Sequence, residues 1–181
     1  MGATLNKIGF LADTHSAKND GSDLPDSVLR AFKGVDLIVH LGDIGKKMIL
    51  TRLGEVAPVM IQSEDRKGYT YAAKPGAPVK AITAGAHSVG LIFNLAQPDK
   101  KFVVGEKGID FPDDFEKCMN RRFKQAVNVV AFAATHAPMH LTHEGILFFN
   151  PGSPTLPMAA PGTVAILDLS KKAPSAKTVA V

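Results

Sequence analysis

The chain has 181 residues, 45% hydrophobic and 21% charged, with one cysteine and a net charge of +4. That composition favours one domain over residues 1–181 with a core of its own, and no apolar run approaches the roughly 20 residues that cross a bilayer. The scattered lysines and arginines suit an anionic substrate without arguing for nucleic acid, and the lone Cys118 makes a reducing cytoplasm the expected location.

In chain order, "MGATLNKIGF" lacks a signal-peptide layout, and Asn6 breaks the myristoylation pattern. "KIGFLADTH" (7–15) reads as a strand buried on both faces. "LPDSVLRAF" (24–32) predicts a helix, with Val28, Leu29 and Phe32 on one side and Gly34 as its stop. "VDLIVHLGD" (35–43) predicts a second buried strand and "KKMILTRLGEV" (46–56) a second, shorter helix. Residues 66–87 read as loop. "SVGLIFNL" (88–95) and "VNVVAFAATH" (127–136) are strands of the same continuous kind, on either side of a helix over 113–126. In that helix Phe115, Met119 and Phe123 recur at i, i+4 and i+8 behind an acidic start. "GILFFN", "GTVAILDL" and "AKTVAV" predict an antiparallel meander, so the fold class is a layered α/β domain with a partly antiparallel sheet.

Three of the four apolar runs end in side chains that bind metals: Asp13 and His15, Asp43, and His136. Ligand sites in open α/β sheets lie beyond the carboxyl ends of strands. Two carboxylates with two imidazoles suit Zn²⁺, Mn²⁺ or Fe²⁺ better than Ca²⁺. One residue apart on an extended segment, Asp13 and His15 face the same way. His40, inside its strand, reads as a core histidine or one that orients a ligand through its second nitrogen. His140 and His143 read as loop histidines. Arg121, Arg122 and Lys124 read as the solvated side of their helix, and Arg66 is a minority candidate for phosphate contact. "NPGSP" (150–154) reads as a tight turn at the rim, and it is no nucleophile elbow.

"IGFLADTHS", "VDLIVHLGDI" and "FFNPGSPTLP", in that order, resemble the D-x-H, G-D and N-P-G-S blocks of the calcineurin-like metallophosphoesterases. The resemblance is to the small single-domain bacterial and archaeal phosphodiesterase branch, which includes the retromer subunit Vps29, and it runs from Lys7 to the C-terminal hairpin. It implies a four-layer α/β/β/α sandwich of two mixed sheets flanked by helices. It also implies Asp13, His15, Asp43 and His136 as ligands of a first metal, with Asp43 bridging to a second. At the remaining second-metal positions stand Ser63, Phe93 and Ala134, none of them the family's Asn or His. His87 is no substitute, because it precedes its strand. One divalent transition metal (Mn, Zn or Fe) per chain is therefore expected, and a second is not.

The implied activity is a metal-dependent phosphoesterase, acting as a phosphodiesterase on a small phosphoester. Asp43 and His136 would serve at the reacting centre, with Glu64 in the slot where some branches carry a general acid. A carboxyl group donates a proton there only if burial raises its pKa. The alternative is a weak or inactive family member acting as a binding or scaffold protein, as Vps29 does. Assembly into a homo-oligomer, dimer or tetramer, is the family's habit.

Overall fold

The computed structural model describes residues 5–62, 80–97, 99–105 and 108–181. From Ile8 onward β1 (Lys7–Leu11) is buried, and all of β2 (Leu37–His40) is buried, so both sequences are apolar without alternation. Parallel to β2 runs the short β3 (Val59–Ile61). The first sheet has the order β12-β11-β1-β2-β3, where β11 (Thr163–Asp168) and β12 (Ser175–Ala180) form an antiparallel hairpin beside β1.

The second sheet repeats the plan. Its order is β4-β5-β8-β10-β9, built from β4 (Lys80–Ala84), β5 (His87–Leu91), β8 (Val129–Ala131), β9 (Pro138–His143) and β10 (Ile146–Pro151). Strands β5, β8 and β10 are parallel, while β4 and β9 pair antiparallel at the edges. A minor ladder joins β6 (Val103–Val104) to β7 (Ile109–Asp110).

Alternate side chains of each central strand divide between two cores. Ile8, Phe10, Val39, Leu91, Ala131 and Phe149 meet between the sheets, with Phe10 edge-on to Phe149 at 4.9 Å. Outside the first sheet, α1 (Asp26–Ala31) and α2 (Met48–Gly54) bring Val28, Ile49 and Leu53 onto Leu11 and Ile38. Outside the second, α3 (Phe115–Phe123) packs Phe115, Met119 and Phe123 with Val130, Phe132 and Phe148. The result is helix, sheet, sheet, helix, as expected. No helix among the described residues is long and apolar enough to cross a membrane.

Four sequence readings are corrected. β10 does not join β11 in a meander; it lies in the second sheet, parallel to β8, and only the β11–β12 hairpin survives of that expectation. His140 and His143 are not in a loop: both are on β9, an edge strand whose half-polar alternation carries little apolar signal. His143 stacks flat on Phe111 at 3.8 Å. Arg122 is buried, its guanidinium donating to the Leu95 and Gln97 carbonyls and paired with Asp99 at 2.6 Å. Of the segment expected to be loop, 80–84 is β4, and 66–79 lies outside the described residues.

Candidate metal centre

β1 and β2 keep pairing after their regular strands end. Asp13, His15 and Ser16 donate backbone N–H groups to the carbonyls of Gly42, Asp43 and Ile44. The two loops that bear Asp13, His15 and Asp43 are therefore one zipped unit at the carboxyl end of the first sheet. His136 arrives from the second sheet, five residues beyond β8.

Asp13, His15 and His136 come together, with a potential ligand atom from each within 4.8 Å of the others. The two imidazoles stack with centroids 5.2 Å apart. Asp43 lies outside that trio, but its Oδ2 is 3.6 Å from His15 Nε2. All four have left-handed backbones, with φ of 51°, 42°, 51° and 58° in chain order, and Ala134 shares this at 73°. Non-glycine residues held there are strained and gather at functional sites.

Asp13 is fully buried, and its two oxygens differ. Oδ2 accepts the Ala134 N–H at 3.1 Å. Among the described residues Oδ1 has no hydrogen-bond partner, and it lies 3.8 Å from His136 Nε2. Burial raises the pKa of this carboxyl to about 6 and the Asp43 charge adds to the rise, while His136 and the Ala134 N–H oppose it. A buried carboxylate oxygen with no donor beside two imidazoles fits a divalent cation.

The structure also orients His136. Its Nδ1 lies 2.6 Å from the Leu156 carbonyl, which only accepts, so Nδ1 carries the proton and the Nε2 lone pair faces Asp13. His40 is fixed in the opposite sense. Its Nδ1 accepts the Gly42 N–H at 3.3 Å, so Nε2–H donates to Thr14 Oγ1 at 2.9 Å. Thr14 in turn donates to the Ile44 carbonyl at 2.8 Å. Full burial, reinforced by the nearby His15, drives the pKa of His40 down to about 3, so it is a neutral brace between the two loops.

Residues 150–155 lock the same loops from above. Ser153 Oγ donates to the Asp13 carbonyl at 2.7 Å, and Thr155 Oγ1 to the Thr14 carbonyl at 2.7 Å. Asn150 spans Gly152 N and Thr135 Oγ1. Thr14, Thr155 and Leu156 were not singled out from the sequence. Each acts through a bond that has a backbone group on one side, the threonine hydroxyls on carbonyls and Leu156 through its own carbonyl, and only Thr14, placed between Asp13 and His15, carried a positional hint.

A family model described as the calcineurin-like phosphoesterase superfamily domain matches residues 7–172. The chain belongs to that superfamily. It is 29% identical over 160 residues to a probable metallophosphoesterase of Methanothermobacter thermautotrophicus, covering 88% of this chain and 84% of that protein. Two solved structures share the fold: a novel archaeal phosphodiesterase (TM-score 0.66, 15% identity, 97% and 99% coverage) and Vps29 of Chaetomium thermophilum (0.63, 16%, 97% and 97%).

Two of the positions where the superfamily resemblance implied a second-metal ligand are described. Phe93 follows β5 and is buried, with its ring over Gly42: a Cβ on that glycine would sit 2.3 Å from Phe93 Cδ2. Ala134 points its methyl group toward the core between the sheets. His87 opens β5 at the opposite end, bonded to Asn128 and the Lys171 carbonyl. Ser63 and Glu64 lie outside the described residues.

Proposed function

We propose that this superfamily member is a phosphodiesterase working with one divalent transition ion (Mn²⁺, Zn²⁺ or Fe²⁺) held by Asp13, His15, Asp43 and His136. The observation that carries this is the donorless, fully buried Asp13 Oδ1 facing His136 Nε2. Vps29 of Entamoeba histolytica, solved in complex with Zn²⁺, supports the reading. Bound there, such an ion lowers the pKa of water and polarises a phosphoryl oxygen.

The chain's own groups do the rest. The Leu156 carbonyl holds His136 in the tautomer that presents Nε2, and His40 keeps the Asp13 and Asp43 loops in register. Asp13 is sealed from water, whereas His15 and Asp43 stay open to it, so a small phosphoester approaches from their side. Phe93 on Gly42 makes the space beside Asp43 apolar, which favours one ion over two. Glu64 is the proposed proton donor to the leaving group. The same proposal places the chain in the cytoplasm, on its lone buried Cys118, and includes a homo-oligomeric form that light scattering would measure.

The test is metal content of the purified protein together with hydrolysis of bis-p-nitrophenyl phosphate in Mn²⁺. One ion per chain, with both ion and turnover lost in His136→Ala, is the expected result. Metal without turnover on any phosphoester would move the assignment to a metal-holding binding protein, the second reading that Phe93 and Ala134 favour. A protein that takes up no divalent ion would sink the phosphodiesterase reading and leave a metal-free binding or scaffold protein.

A further inference from the structure

Among the described residues four large apolar side chains are exposed, and two of them, Leu156 at 53% and Met158 at 70%, sit two residues apart beside the candidate metal centre. Their backbone is anchored on that centre. The Leu156 N–H donates to Ser153 Oγ at 2.9 Å, the Leu156 carbonyl accepts from His136 Nδ1 at 2.6 Å, and the Met158 N–H donates to the His136 carbonyl at 3.0 Å. Three such bonds hold the main chain while both side chains project into water.

The polar groups of this lip are already used. Thr155 gives its hydroxyl proton to the Thr14 carbonyl, and Ser153 is fully buried with its hydroxyl on the Asp13 carbonyl. A sugar or other polyol resting here would find few donors or acceptors, whereas an apolar group would cover exposed methyl and methylene surface. We propose that Leu156 and Met158 select phosphoesters whose alcohol portion is apolar, an aryl or alkyl group lying on the lip while the phosphoryl group meets Asp13, His15, Asp43 and His136. This rests on the phosphodiesterase reading above and names the substrate class of that same site.

Calorimetric titration of the Mn²⁺-loaded protein with methylphosphonate, phenylphosphonate and hexylphosphonate tests it, since the three share a head group and differ only in the apolar arm. Phenyl or hexyl is expected to bind about tenfold tighter than methyl, and which of the two gains more separates an aryl from an alkyl alcohol. In a Leu156→Ser/Met158→Ser variant the ratio of phenyl- or hexylphosphonate affinity to methylphosphonate affinity should fall below about threefold. Leu156→Met with Met158→Leu should retain the preference. Methylphosphonate binding with no preference for the larger arms, or a preference that survives the double serine variant, overturns the lip and leaves the metal-site reading standing. Failure of all three phosphonates to bind overturns both.

Discussion

At His40 the hydrogen bonds decide the protonation state. Gly42 N–H can only donate, so the imidazole must accept at Nδ1 and is neutral. An unfolded histidine takes its proton near 6.5, but this one resists until about 3. The unfolded chain therefore binds the extra proton between those values. The stability that neutral burial allows is complete above pH 6.5 and is lost on acidification, by about 1.4 kcal/mol per pH unit. His40→Gln has nothing to titrate, so its stability between pH 6.5 and 5 should fall less steeply than wild type by about that slope, measured by urea unfolding with chelator present. Equal slopes would mean that His40 is charged in the fold. The second-metal assignment makes a further prediction at the same scale. Ser63→Asn, Phe93→His and Ala134→His together should raise metal content from one ion per chain towards two, read by elemental analysis, and a content fixed at one would refute the assignment of those positions. Asp13, His15, Asp43 and His136 were legible because each follows a continuous apolar run. The groups that fix them were not: a carbonyl such as that of Leu156 has no signature in the sequence.

Helix α3 shows how far a pattern carries at the scale of an element. The stripe Phe115, Met119 and Phe123 gave its apolar face, and all three are buried there. Arg122 follows Phe115 by two turns and shares that face, which a charge-based reading assigns to solvent. Its cation lies 4.4 Å from the centre of the Phe102 ring, and its Nη atoms hold the turn after β5 through Leu95, Gln97 and Asp99. Removing the carboxylate from a buried pair leaves an uncompensated charge, so Asp99→Ala should destabilise the protein by about 3 kcal/mol in denaturant unfolding. A loss within about 0.5 kcal/mol would make the contact an ordinary surface pair. Strands followed the same logic. β1, β2 and β8 announced themselves by burial on both faces, whereas β9, exposed on alternate residues at an edge, did not. The parallel pairing of β10 with β8 could not be read locally, because it depends on residues 18 positions apart in register, Val129 with Leu147.

Across the whole molecule, the four-layer order was legible through the resemblance of three short blocks. The reason those blocks matter is geometric. Asp13, His15 and Asp43 belong to one sheet and His136 to the other, and at Asp13 the two sides are joined by the Ala134 N–H on Oδ2 and the Ser153 hydroxyl on the carbonyl. A cation shared by all four would tie the sheets together at their carboxyl ends. Ions that bind only the native state stabilise it by mass action, so Mn²⁺ at a hundred times its dissociation constant should add about 2.7 kcal/mol to unfolding. His136→Ala should lose that increment, and a metal-induced gain that persists in the variant would put the ion elsewhere.

Ala134 has a φ of 73°, an angle that costs an alanine about 1 kcal/mol, and in that posture its N–H donates to Asp13. The buried carboxylate thus preserves the posture of a neighbouring position whatever side chain stands there. On the assignment proposed above, what is missing at position 134 is a side chain and not the path of the loop. Placing a second-metal ligand at position 134 is thus a matter of substitution, on a backbone that Asp13 already holds.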